Sequence, residues 1–283
     1  MSRSVPCCSA PSRNLQLAPA GVTLTEGATP ERFRARIGDL RARGFYPAPH
    51  RYHLYLEQDC PRSLRVSITL ALLGLQDAVG ATALSPCEGG GEAASALRRA
   101  YDATWYRYRG PLTVPALCDR WTGRVVSNHT PDILRDLAER LGPHGARASV
   151  RLRPEALAAR IDAFREFLDE EVTRAPERPE RWAAALDSLD RQLSGQPYAL
   201  GAELTAADVD LWVALVHLDG WEPGVGAPDG RHGHLSAYVR RMLARPEFAD
   251  AYRQSSPARS SLRNGTVRSG GSAVAHRRSI TAM

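Results

Sequence analysis

The chain has 283 residues, enough for two domains of ordinary size, each with its own hydrophobic core. It contains no apolar run of about 20 residues and no apolar leader before a small-residue cleavage site, so neither membrane insertion nor secretion is expected. The net charge of +6 comes from residues 251–283, which hold six arginines and no acidic residue. The rest of the chain is neutral, which argues against a nucleic-acid-binding surface.

Cysteine usage constrains the compartment and the metal chemistry. The five cysteines are an odd number and show no paired metal-ligand spacing. This pattern favours free thiols in a reducing cytoplasm over a disulfide framework, and it predicts no metal site.

The first half of the chain predicts alternating strands and helices after a lead of low hydrophobicity. Residues 1–29 are rich in Ser, Pro and Ala and are predicted to be disordered. A short helix is predicted over Phe33–Leu40, because a Thr-Pro-Glu-Arg sequence precedes it. Alternating apolar residues predict a strand over Tyr52–Leu56, and apolar residues at helical spacing predict a helix over Leu64–Leu75.

The predicted strand delivers a cysteine to the start of that helix. Cys60 is expected at the N-cap, with Pro61 at the first helical position, where a missing N–H costs nothing. Unpaired amides and the positive end of the helix dipole stabilise a thiolate at such a position, and Arg62 adds a neighbouring cation. Cys60 is therefore the candidate nucleophile, although a free cysteine is also a common small core residue.

Two short strands and a helix complete a predicted α/β domain over residues 30–142. Pro111–Asp119 is a strand that contains prolines, Arg124–Ser127 is a second strand, and Pro131–Leu141 keeps one apolar face at helical spacing. Strands that alternate with helices indicate a small α/β layer.

The pattern changes to uninterrupted helical periods in the second half. Residues 150–252 are predicted to form an all-helical domain, and residues 255–283 a disordered basic tail. The predicted helices cover Pro154–Val172, Trp182–Leu193, Ala206–Leu218 and Leu235–Ala244.

These features, in this order, resemble the glutathione transferase fold, a thioredoxin-like domain followed by a helical domain. In particular, the chain resembles the glutathionyl-hydroquinone reductases, or Xi class. Their sequences carry a strand like Arg51–Tyr55 before a Cys-Pro motif, a Thr-Val-Pro strand like Thr113–Pro115 and a Leu-Thr-x-Ala-Asp cap like Leu204–Asp208. The resemblance covers residues 31–252. It implies a homodimeric enzyme that transfers or reduces thiols on thiol conjugates or on electrophilic, quinone-like aromatic molecules.

The resemblance implies a role for each of four residues. Cys60 matches the family's catalytic cysteine, which attacks the sulfur of a glutathionyl-hydroquinone and becomes a mixed disulfide that a second glutathione resolves. Val114 and Pro115 match the cis-proline element, whose backbone pairs with the cysteinyl part of glutathione. Thr130 falls at the serine that holds the γ-glutamyl carboxylate at a helix N-terminus, although a helix cap alone would use the same geometry.

Two further cofactor-binding candidates, Arg62 and His129, depart from the family's residues. Arg62 replaces a tryptophan beside the cysteine, and it is either a solvated arginine or a partner for a substrate carboxylate or phosphate. His129 replaces the glutamate that meets the γ-glutamyl ammonium, and the lost charge-assisted hydrogen bond costs ~1.5–3 kcal/mol. The expected cofactor is therefore glutathione or another low-molecular-weight thiol, such as mycothiol, which lacks the γ-glutamyl group.

The sequence leaves two other functions open. One is an enzyme of specialised metabolism that uses this fold for addition, elimination or isomerisation without glutathione, and the other is a non-catalytic binding homologue. In the enzymatic cases, aromatic residues between the two domains would line the site for an apolar small molecule, with Tyr106, Trp182 and Trp221 as candidates.

Overall fold

The computed structural model describes residues 33–38, 44–57, 60–84, 91–147, 150–173, 179–218 and 231–255. The predicted disordered lead and the tail beyond residue 255 lie outside the described residues, as does Trp221. Among the described residues, no helix is both long enough and apolar enough to cross a membrane.

A four-stranded sheet forms the first layer of the fold. Its strands are β1 (Tyr52–Glu57), β2 (Gly80–Leu84), β3 (Ala116–Asp119) and β4 (Arg124–Ser127), in the spatial order β2-β1-β3-β4. β1 and β2 are parallel, whereas β3 is antiparallel to both β1 and β4. Buried and half-buried side chains alternate along most of β1, as the sequence pattern predicts.

The sequence analysis missed β2 and made β3 too long. β2 contains mainly small residues in place of the β-branched and aromatic ones that mark a strand, and its structure comes from parallel pairing with β1. β3 begins at Ala116 rather than at Pro111, because Pro115 has no N–H to give to the ladder.

Three helices accompany the sheet and complete a thioredoxin-like arrangement. They are α1 (Pro61–Leu73), α2 (Glu92–Thr104) and α3 (Thr130–Asp136), which continues as a π-helical turn over Leu137–Leu141. α1 ends at Gly74, which has a φ of 63° and caps the helix in the left-handed conformation that glycine adopts without penalty. The chain order β1-α1-β2-α2-β3-β4-α3 is the order that the resemblance implies.

The helix predicted over Phe33–Leu40 is wrong for its described part. Arg34 forms an antiparallel bridge with Ser127 of β4. The Phe33 N–H donates to the side chain of Asn128 at 2.8 Å, across a sequence separation of 95 residues. The segment is therefore extended against β4, because its backbone groups bind distant partners instead of closing a helical turn.

The described residues from 150 onward contain helices and no strand, apart from one isolated bridge between Tyr198 and Gly201. Each predicted helix is confirmed to within a few residues, and a last helix was not predicted. The helices are α4 (Ala158–Phe167), which continues as a π-helical turn over Leu168–Val172, α5 (Pro179–Gly195), α6 (Ala206–Val216), α7 (Gly233–Leu243) and α8 (Pro246–Ser255).

α6 is the central helix of this half. All of its residues from Ala207 to Val216 are buried. A capping box fixes its start, because the Asp208 carboxylate accepts the Thr205 N–H at 2.9 Å. Asp208 also accepts the Tyr238 hydroxyl at 3.0 Å, so its role is structural.

A buried carboxylate on α6 connects α1 to the helical half. Asp210 is fully buried and accepts the Arg165 Nε–H of α4 at 2.9 Å. Arg65 of α1 brings its Nε to 3.4 Å from the other oxygen of Asp210, and its second guanidinium nitrogen lies 3.5 Å from Asp169. Because an unpaired buried carboxylate is costly, these two arginines hold α1, α4 and α6 against one another.

Replacing Arg165 by methionine tests this connection. Arg165→Met leaves Asp210 buried without its best partner, so the free energy of unfolding is expected to fall by about 3–5 kcal/mol. Arg253→Met is the matched control, because Arg253 and its partner Asp250 are exposed, and its loss should stay below about 1 kcal/mol. Urea titrations of both variants measure the difference, and equal losses would contradict the assigned role of Asp210.

Candidate active site

Three connections meet at one edge of the sheet. β1 and β4 run in the same direction, since both are antiparallel to β3, and they end at Glu57 and Ser127. β3 begins at the same edge, where Ala116 pairs with Tyr55. The residues that follow β1, precede β3 and follow β4 are therefore neighbours, and they include Cys60, Val114–Pro115 and His129–Thr130.

Cys60 occupies the N-cap of α1, as predicted. Its backbone is extended, with φ −92° and ψ 116°, its carbonyl accepts the Leu64 N–H at 2.9 Å, and Pro61 follows at the start of the helix. The side chain is partly exposed and makes no capping hydrogen bond, and the first turn of α1 has no acidic residue. A helix N-terminus of this kind is suited to hold a negative charge on the N-cap side chain.

The other described cysteine, Cys118, has a different environment. It lies buried within β3, opposite His53 of β1. Burial, assisted by the neighbouring Asp119, raises the pKa of Cys118 to about 12, so its thiol stays protonated at neutral pH. Among the described residues, no cluster of His, Cys, Asp and Glu could hold a metal ion.

The two residues after Pro61 have separate roles. Arg62 is exposed on the first turn of α1. Ser63 is buried, and its hydroxyl accepts the Glu57 N–H at 3.1 Å, which ties the end of β1 to the start of α1. The sequence analysis did not identify Ser63, whose bond to β1 fixes the segment that carries Cys60.

The Val114–Pro115 peptide bond is cis, as the sequence predicts. Both residues are buried, and Ala116, which follows them, pairs with Tyr55 near the end of β1. The cis peptide therefore lies beside the strand that leads to Cys60.

His129 caps α3, and its ring faces a carboxylate. His129 Nδ1 lies 3.0 Å from Asp132 Oδ2, and Arg34 holds both oxygens of Asp132 at 2.7 and 3.1 Å. Burial alone would raise the pKa of Asp132, but the hydrogen bonds from Arg34 and the charge of His129 lower it below its ordinary value. Thr130 is buried as the first residue of α3, so the helix cap is His129 rather than Thr130.

A buried polar cluster supports this edge, and the sequence analysis missed it. The Asn128 side chain donates to the Thr113 hydroxyl at 2.9 Å and to the Tyr101 hydroxyl at 3.2 Å. Tyr101 in turn donates to the Thr113 carbonyl at 2.8 Å. Thr113 and Asn128 directly precede candidate site residues, and Tyr101 is bonded to both of them. No local motif predicts the cluster, because its members are far apart in sequence.

The structure describes two of the three aromatic residues proposed to line a substrate site. Tyr106 is largely exposed in the turn after α2, and Trp182 packs partly buried against the core of the helical half. Trp221 lies outside the described residues.

Comparisons with known proteins agree with this architecture. The family described as glutathione S-transferase, C-terminal domain, matches residues 154–241. Glutathionyl-hydroquinone reductase PcpF from Sphingobium chlorophenolicum is 28% identical over 235 residues, which cover 73% of this chain and 72% of the relative. Glutathionyl-hydroquinone reductase YqjG from Escherichia coli (strain K12) is 30% identical over 205 residues, which cover 62% of each chain.

A solved structure extends the likeness to both halves of the fold. The crystal structure of the glutathione-S-transferase Xi from Phanerochaete chrysosporium matches with a TM-score of 0.63 at 26% identity, over 80% of this chain and 88% of that one. The chain is thus a glutathione transferase-like enzyme, and the proteins that it resembles include two glutathionyl-hydroquinone reductases and a Xi-class transferase.

Proposed function

We propose that this chain is a cysteine-dependent thiol reductase that removes a thiol from conjugates of quinone-like aromatic molecules, with Cys60 as the nucleophile. The observation that carries the proposal is the position of Cys60 at the start of α1, on the sheet edge where the cis Val114–Pro115 peptide lies. The names of two relatives, both glutathionyl-hydroquinone reductases, support the same class of substrate.

The proposed reaction has two steps, cleavage of the carbon–sulfur bond of the conjugate and a thiol–disulfide exchange. The Cys60 thiolate attacks the sulfur of the conjugate, a disulfide bond forms on Cys60, the carbon–sulfur bond breaks, and the aromatic carbon takes a proton as the hydroquinone leaves. A second molecule of the thiol then attacks this mixed disulfide and regenerates the Cys60 thiolate. Overall, the conjugate and one free thiol become the hydroquinone and one disulfide: the conjugate's sulfur and the thiol's sulfur are oxidised by one electron each, and the aromatic carbon gains those two electrons. One nucleophilic cysteine is sufficient for this reaction, so it does not require a second cysteine at the position of Ser63.

The thiol cofactor would be held by the residues around Cys60. The backbone of Val114 beside Pro115 would pair with the cysteinyl part, and Thr130 would receive a carboxylate at the start of α3. Arg62, which is exposed two residues after the nucleophile, would bind an anionic group of the cofactor or the substrate. In this proposal residues 30–142 form the thiol-binding domain and residues 150–252 the substrate-binding domain of a cytoplasmic homodimer.

The structure fits a thiol cofactor less well at the position of the γ-glutamyl ammonium. His129 offers a ring in place of a carboxylate, and the nearest carboxylate, Asp132, is nearly buried and already bound by Arg34. The proposed cofactor is therefore glutathione bound without that contact, or a thiol such as mycothiol that does not need it.

Removing the Cys60 thiol tests the nucleophile. Cys60→Ala is expected to lower turnover of a glutathionyl-hydroquinone by roughly a thousandfold or more and to keep the fold, because the side chain is partly exposed at a helix start. Peptide-resolved mass spectrometry should show a thiol adduct on Cys60 of the wild-type protein and no adduct on the same peptide of the variant. Cys118→Ala, the control, should keep both turnover and adduct, since its buried thiol stays protonated.

Two results would reject parts of this proposal. Full turnover by Cys60→Ala would remove the nucleophile from the mechanism. A wild-type protein that forms no adduct with glutathione or mycothiol conjugates would favour the thiol-independent enzyme, or the non-catalytic homologue if it also converts no other substrate.

A second variant tests the reason for the weakened ammonium site. His129→Glu supplies the missing carboxylate, so glutathione should bind about ten- to a hundredfold more tightly, which corresponds to a charge-assisted hydrogen bond of ~1.5–3 kcal/mol. His129→Gln, which adds no charge, should leave the dissociation constant within about twofold. Isothermal titration calorimetry of the two variants makes the comparison, and equal affinities would show that position 129 does not meet the ammonium.

A further inference from the structure

One tyrosine hydroxyl, on Tyr101 of α2, is shared by the two loops that flank the candidate site. It donates to the Thr113 carbonyl at 2.8 Å and lies 3.3 Å from the Thr113 N–H, which donates back to it. It also accepts one N–H of the Asn128 side chain at 3.2 Å, while the other N–H of that amide is available to Thr113 Oγ1 at 2.9 Å.

This arrangement uses the full capacity of the hydroxyl. A tyrosine hydroxyl donates once and accepts twice, and its four neighbours here, the Thr113 carbonyl, the Thr113 N–H, Thr113 Oγ1 at 3.0 Å and the Asn128 amide N–H, more than fill these positions. Burial raises the pKa of Tyr101, so the hydroxyl keeps the proton that it donates to Thr113. Tyr101 is fully buried, and its ring packs edge-on against Phe33 at 5.4 Å between centroids.

The partners of Tyr101 stand next to the candidate cofactor-binding residues. Thr113 directly precedes the cis Val114–Pro115 peptide. Asn128 directly precedes His129 and Thr130. Its side-chain Oδ1 accepts the Phe33 N–H at 2.8 Å, and its backbone N–H donates to the Phe33 carbonyl at 3.1 Å. The Tyr101 hydroxyl, together with the direct bond from Asn128 to Thr113 Oγ1, therefore sets the spacing between the loop before β3 and the turn before α3.

We propose that Tyr101 is a positioning residue of the active site, which through Thr113 and Asn128 holds the cis-proline loop and the start of α3 at the separation that a thiol cofactor needs. Its effect on cofactor binding rests on the function proposed above; its effect on the two loops does not. Tyr101 touches neither Cys60 nor α1 through these bonds, so it acts on the binding loops and leaves the nucleophile in place.

A tyrosine of the sheet that lies away from the site provides the control. Tyr52 of β1 is also fully buried, and its hydroxyl donates to the Tyr46 carbonyl at 2.7 Å. Tyr52 starts β1, whereas the site lies where β1 ends, so this hydroxyl is at the opposite edge of the sheet. Tyr52→Phe thus removes a hydroxyl of the same kind and burial without touching either binding loop.

The experiment compares Tyr101→Phe with Tyr52→Phe in the full chain. Tyr101→Phe is expected to raise amide hydrogen exchange in residues 112–116 and 127–130 by about tenfold, because their shared partner is lost. The dissociation constant for glutathione should rise by about tenfold. Alkylation of Cys60 by iodoacetamide should change by less than about twofold, since α1 makes none of these bonds. Tyr52→Phe should alter neither the exchange of the two loops nor glutathione binding.

Each outcome decides the proposal. Identical exchange and affinity in the two variants would overturn it, because Tyr101 would then be a structural residue only. If wild-type protein does not bind glutathione, the glutathione part of the proposed function fails, and exchange in the two loops alone decides the role of Tyr101. If Tyr101→Phe does not fold, Asn128→Asp replaces it, because it removes the N–H that the Tyr101 hydroxyl accepts and keeps an oxygen for the Phe33 N–H. Exchange in residues 112–116 must then rise, and unchanged exchange would overturn the proposal.

Discussion

The placement of α1 depends on one buried carboxylate that belongs to the helical half. Asp210 lies in the fully buried centre of α6 and receives Arg165 from α4 and Arg65 from α1. A buried charge is tolerated only where its partners converge on it, so α1 cannot shift along the helices without a large cost. Since Cys60 is the N-cap of α1, the same constraint fixes where the thiol stands relative to the helical half.

The sheet fixes where the loops of the site lie relative to one another. Antiparallel pairing of β3 with both neighbours brings the end of β1, the start of β3 and the end of β4 to one edge. The Ser63 hydroxyl bonds the segment after β1 to β1 itself. The Tyr101 hydroxyl bonds both the loop before β3 and the turn after β4. The candidate nucleophile and the candidate binding loops thus have separate supports, which allows binding and nucleophilicity to vary independently.

The sequence predicts the parts of this design that depend on local signals. The alternation in β1 and the Cys-Pro start of α1 follow from a few neighbouring residues, and the cis peptide before β3 and the cap of α6 follow from short motifs of the resemblance; all four are confirmed. The helix predicted over Phe33–Leu40 is wrong for its described part, because the Phe33 amide binds Asn128, 95 residues away. β2 and the Tyr101 cluster escape prediction for the same reason: contacts distant in sequence create them.

The electrostatics at α3 explain how the proposed site could change its cofactor without losing its scaffold. The carboxylate of Asp132 stays ionised at the first turn of α3, but Arg34 binds both of its oxygens from the segment packed on β4, and the His129 ring lies 3.0 Å from one of them. A cationic group of a ligand would therefore compete with an arginine for a nearly buried partner, which is unfavourable. The cis-proline loop and Cys60 are not part of this contact. On the proposed function, selection against the γ-glutamyl ammonium is confined to one end of the cofactor, and thiol chemistry at the other end is preserved.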